Sequence, residues 1–115
     1  MSAADVRKAL AEAATTVQGI DVAPYFVQTQ TPGHGMVRMD RVDYPNPFGG
    51  LTTWQVLLVL DQDIAAGEQF LQDIVPDVVD AVREHIAVRN VVVQDLVLDV
   101  GRVPVVVITG QREEE

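Results

Sequence analysis

The chain has 115 residues, with 8 lysines and arginines against 17 aspartates and glutamates for a formal net charge of −9, and it has no cysteine. That length suits one domain burying roughly two-thirds of the surface its unfolded chain exposes, and the missing cysteine excludes disulfides, thiolate zinc sites and a cysteine nucleophile together. The acidic balance repels phosphate and argues against non-specific nucleic-acid binding, though not against a wall past which DNA slides.

The N-terminus, Met-Ser-Ala-Ala-Asp-Val-Arg-Lys, lacks the apolar core of a signal peptide. No apolar run approaches the ~20 residues needed to span a bilayer, so the chain reads as cytosolic. Ser2 and Asp5 form a variant capping box for a first helix, in which Ala3, Val6, Leu10, Ala13 and Val17 recur at helical spacing up to Gly19. A strand follows over about Asp21 to Gln28. Pro24 makes it an edge strand or delays its pairing, because proline cannot donate to a ladder.

After the loop Thr31-Pro32-Gly33-His34-Gly35, a second strand spans Met36 to Val42, with Arg38, Asp40 and Arg41 giving it one wet face. A loop from Asp43 to Gly50 then carries two prolines and the aromatic rings of Tyr44 and Phe48. Thr52 to Leu60 reads as the central strand: Trp54, Val56, Leu58 and Leu60 fall on one face, and Gln55, Leu57 and Val59 on the other.

From about Ala65 to Ala87 the period is helical. Leu71, Ile74, Val75, Val78, Val82 and Ile86 share one sector at ~100° per residue, and Asp73, Asp77, Asp80 and Glu84 share the opposite one. Pro76 in the middle predicts a kink, or two abutting helices, since an interior proline costs about 3 kcal/mol. Val91 to Val100 and Arg102 to Ile108 make a final hairpin, with Gly101 supplying a positive φ. The polar tail, 111–115, reads as flexible.

These elements predict a single α+β domain over 1–115. Its expected core is a mainly antiparallel, four- to five-stranded sheet, with the N-terminal helix and a long, proline-kinked helix packed on one face. The second face then carries Leu57, Val59, Val91 and Val93. An apolar face of that size needs covering, either by further copies of the chain or by the sheet curling and the 29–51 segment folding over it.

Signs of chemistry are few. His34 and His85 have no third ligand at metal-binding spacing and read as surface residues. Asp61 and Asp63 read as a turn and a helix cap rather than a catalytic pair. The acidic stripe spreads over ~16 Å of helix, so it reads as a solvated face. Gly33 and Gly35 lack a phosphate-binding pattern, and no nucleophile elbow occurs. No catalytic, metal or cofactor site is therefore expected. Tyr44, Phe48 and Trp54 instead cluster as candidate interface anchors.

Val42-Asp43-Tyr44, Phe48-Gly49-Gly50 and Trp54 leading into Val56 to Leu60, set between an N-terminal helix and a following helix and hairpin, resemble the tail terminator proteins of long-tailed bacteriophages, especially those of actinobacteria. The resemblance implies a non-enzymatic virion protein at the head-proximal end of the tail, assembled in the host cytoplasm. Such proteins form a ring, usually hexameric, that caps the tail tube, ends its polymerisation and offers a docking surface to head connector proteins. It further implies contacts with the tail tube protein and the connector, and a lumen that passes DNA without specific binding, with Asp73, Asp77, Asp80 and Glu84 as possible lining. On this reading Tyr44, Phe48, Trp54, Leu57, Val59, Val91 and Val93 form the subunit or tube interface. The rivals are another head–tail connector or tube subunit, and a small dimeric α+β enzyme or ligand-binding module.

Overall fold

The computed structural model describes residues 2–114. Its elements run α1 (Ala3–Thr15), β1 (Asp21–Ala23), β2 (His34–Asn46), β3 (Gly49–Val59), α2 (Ile64–Asp73), α3 (Val75–Val82), β4 (Ala87–Leu98) and β5 (Gly101–Glu114). The five strands form one sheet in the order β1-β2-β3-β5-β4. β1 runs parallel to β2, and the other three pairings are antiparallel.

Two features of the expected fold are corrected here. The sheet is mixed, because the chain between Ala23 and His34 carries the backbone across and returns β2 alongside β1 in the same direction. The direction of return depends on the path of that loop, which composition does not encode. In addition, there is no long, proline-kinked helix among the described residues. The helical stretch breaks at Ile74 into α2 and α3, and the longest helix is α1 with 13 residues. Pro76 falls in the first turn of α3, where its missing N–H would have no intrahelical partner anyway and the interior penalty does not arise. α3 also ends at Val82, and Ala87 already belongs to β4.

α1 begins as its sequence predicts. The Ser2 hydroxyl accepts from the Asp5 N–H, and the Asp5 carboxylate accepts from the Ser2 N–H. Its Val6, Leu10, Ala11 and Ala14 are buried. They meet Val75, Val78, Val82 and Ile86 from the α3 side, and together these cover Val37, Trp54, Val56, Leu58, Val106 and Ile108 of the sheet. Arg7 ties this layer to the sheet's β1 side. Its Nη1 donates to the carbonyls of Pro24 (2.9 Å) and Val37 (2.8 Å), and its guanidinium lies over the rings of Tyr25 and Trp54.

The opposite face of the sheet is not bare. Met36, Leu57, Val59, Leu98, Val103, Val105 and Val107 form a second buried cluster, and Leu57 and Val59 are each 1% exposed within a single copy. Farther along the same face the surface is polar. Arg38 Nε donates to Gln55 Oε1 (2.8 Å), Gln55 Nε2 donates to Thr109 Oγ1 (3.4 Å), and Arg89 Nε donates to Gln111 Oε1 (3.0 Å). The expectation of a large uncovered apolar face is therefore overturned.

The tail also differs from expectation. Gln111–Glu114 continue β5, paired with β3 as far as Gly50; the strand ladder holds these polar residues in place, and Glu115 lies outside the described residues. Among the described residues, no helix is long and apolar enough to cross a membrane.

Candidate interaction surfaces

Three of the seven candidate interface residues are core. Trp54 is fully buried beneath α1 and α3, and its Nε1 has no hydrogen-bond partner among the described residues. Leu57 and Val59 belong to the closed second cluster. None of the three can meet a neighbour without opening the subunit, so they are withdrawn as contacts.

Val91 and Val93 are exposed, at 41% and 51%, but they do not share a face with Leu57 and Val59. Val93 lies opposite Val106, which lies opposite Leu58, on the helix side. Leu57 lies opposite Val107, which lies opposite Val92, on the other side. In a pleated sheet directly paired residues point the same way, so the seven candidates never formed one patch. Val91 and Val93 instead line an open groove beside α3 with Leu71, Val75, Pro76 and Val79.

Tyr44 and Phe48 are exposed, at 75% and 90%. The segment that carries them is a hairpin rather than a loop. β2 runs to Asn46, which pairs with Gly49 across Pro47 and Phe48. Tight two-residue hairpins favour turns with positive φ, and neither Pro47 nor Phe48 has one. The register slips between Asp43 and Asn46 instead, and the Asn46 side chain accepts from the Phe48 N–H at 2.9 Å. The result is a short, braced arm with two rings at its end.

The acidic residues do not converge. Asp73 ends α2, Asp77 and Asp80 lie on α3, and Glu84 follows α3; all four are exposed, and Asp80 pairs with Arg83 at 3.5 Å. Among the described residues no group of three or more histidines, aspartates or glutamates is placed to hold a metal ion. Asp61 and Asp63 act locally: Asp61 Oδ1 accepts from the Asp63 N–H, and Asp63 caps α2 through the Ala65 N–H. His34 opens β2 rather than sitting in a loop.

What sequence reasoning missed is the outer strand. β4 leaves Val91, Val92, Val93 and Val97 all exposed, and it is the sheet's last strand. A run of valines on both faces reads as interior. The countersign was the charged and amide residues Arg89, Asn90, Gln94 and Asp95 spaced around it, since edge strands are protected by such groups.

The chain matches no protein-family model and no curated protein.

Proposed function

We propose that the protein is a non-enzymatic assembly subunit of the tail-terminator class: it joins copies of itself into a ring that caps a phage tail tube and receives a head connector. Two things support this reading, the likeness of the segment from Val42 to Leu60 to that family and the braced arm that presents Tyr44 and Phe48 to solvent. The arm is the observation that carries it. Large aromatic rings presented to solvent at the tip of a hairpin are the kind of side chain that anchors an interface once a partner covers them.

The ring draws no support from an uncovered sheet face, because that face is closed. On the present reading its contacts are the arm, meeting a neighbour or the tube, and the exposed residues Val91 and Val93. The acidic residues Asp73, Asp77, Asp80 and Glu84 are available to a lumen wall.

The test is assembly onto tubes of the cognate tail tube protein. The unaltered protein should cap them and stop elongation, while Phe48→Asp should fail to cap yet unfold at the same denaturant concentration. Capping by Phe48→Asp as good as that of the unaltered protein would remove the arm from the interface. Growth of open tubes from the protein alone would assign it to the tube subunits.

A further inference from the structure

We propose that the sheet face turned away from the helices docks the acidic α2–α3 side of a second copy, with Arg38 and Arg89 of one copy receiving Asp73, Asp77 and Glu84 of the next.

α1 and α3 pack on one face of the sheet, and the polar part of the other face lies open. Arg38 is paired with Gln55, Gln55 with Thr109, and Thr53 with Gln111, so by alternation along β3 these residues share the face of Leu57. Arginines stand at its two sides, Arg38 on β2 and Arg89 on β4. Each is braced by a neutral amide: Arg38 Nε donates to Gln55 Oε1 and Arg89 Nε to Gln111 Oε1. The Nε–H is thereby occupied, and the terminal Nη groups are left to fork onto a carboxylate. Among the described residues neither arginine forms a salt bridge, although the chain has 17 acidic residues against 8 lysines and arginines. Arg41 shares the face by register but is already held by Asp43 at 3.1 Å.

The same chain carries the counter-surface. Between Asp61 and Glu84 it has seven acidic residues and one basic one, Arg83. Arg83 takes Asp80 at 3.5 Å, which leaves Asp73, Asp77 and Glu84 exposed and without a salt bridge among the described residues. These three extend over about 16 Å at 1.5 Å per residue. The three strand intervals from β2 to β4 set Arg38 and Arg89 about 14 Å apart. The two arrays are therefore opposite in sign and alike in length. Opposite charges across a contact fix which surfaces meet. The −9 charge of each copy opposes association at long range, but physiological salt screens that repulsion beyond about 8 Å, and the local contact decides.

Because the carboxylates lie on the helix side of the sheet and the arginines on the other, the contact is head-to-tail. Every copy offers both halves, and successive copies either close into a ring or run on as a filament. The contact deepens the ring reading and rests on it only for closure and capping. It gives Asp73, Asp77 and Glu84 a partner in the neighbouring copy in place of a lumen wall.

Sedimentation of the full chain over a range of concentrations tests the contact, and the unaltered protein should self-associate. Arg38→Glu with Arg89→Glu in one variant, and Asp73→Arg with Glu84→Arg in another, should each weaken self-association by about 100-fold or more, since like charges then face each other. Both variants should remain folded by circular dichroism. Mixed in equal amounts they should associate in alternation, because each supplies the charge that the other lacks. A monomer at every concentration, association indifferent to either reversal, or a mixture that stays apart overturns the contact. A loss caused by the arginine changes alone gives the face to a different acidic partner and overturns it too. Undiminished capping of tubes by the Arg38→Glu, Arg89→Glu protein removes the contact and leaves the ring reading intact, and a protein that associates and responds to the reversals as expected but never caps tubes does the opposite.

Discussion

β3 and β4 look alike as sequences and have opposite fates in the fold. Each places apolar side chains on both faces, yet Val56, Leu57, Leu58 and Val59 are sealed while Val91, Val92 and Val93 stand open. What differs is the place each strand takes in the sheet. β3 lies between β2 and β5, with α1 and α3 over one face and the second cluster closing the other. β4 has one neighbour, and the helices reach only its margin. Shelter is a property of sheet order, and a strand's own composition states the need for cover without saying whether the fold meets it.

The sharpest test is to truncate both strands in the isolated subunit. Leu57→Ala should cost about 2–5 kcal/mol, as for other large-to-small changes in a closed core. Val93→Ala should stay within about 0.5 kcal/mol, as for surface positions. Denaturant unfolding at a concentration where the subunit is monomeric measures both. Equal costs would mean that β4 is covered within one copy and would end the comparison.

A smaller effect separates the two edges. Arg7 gives one guanidinium nitrogen to the Pro24 and Val37 carbonyls and lies over Tyr25 and Trp54. Arg7→Ala should cost about 1.5–3 kcal/mol, the range for losing hydrogen bonds to a charged group. It should also speed amide exchange along β1 and the start of β2 while leaving β4 unchanged. If exchange rises equally in β4, Arg7 supports the whole sheet and does not guard one edge.

These contrasts mark what could be read from the chain alone. The capping box at Ser2, the central place of the strand around Trp54, the Gly101 turn and the cap at Asp63 were legible, because each is written in a few adjacent residues. Strand order and the parallel return of β2 were not, because they depend on where a loop leads. The faces of Leu57 and Val93 could each be assigned by alternation within a strand. Setting them on one surface required the β3–β5–β4 register, which no single strand contains. The break between α2 and α3 was half legible: Pro76 signalled it, but α2 ends at Asp73 with Ile74 as the cap between the helices, and proline merely suits the first turn of the next helix.

The smallest expected effect lies in the cover itself. α1 supplies part of the layer over β3 and none over the exposed centre of β4, so loosening its first turn should be felt by one strand and not the other. Ser2→Ala removes the hydroxyl that accepts from Asp5 and should cost about 1 kcal/mol. Hydrogen bonding to Ser2, its side chain first and then its backbone N–H, holds the Asp5 carboxyl below its ordinary value of 3.8. A group depressed on folding stabilises the native state above its unfolded pKa and loses that contribution as pH falls through the folded one. The destabilisation by Ser2→Ala should therefore be complete near neutrality and shrink as the solution is taken below pH 3.8. Thermal melts of both proteins across that range measure it, with Trp54 fluorescence reporting on the strand beneath the helix. A difference that does not change with pH would mean that the Ser2 hydroxyl acts through its bond to the Asp5 N–H alone and that the carboxylate adds nothing to the cover.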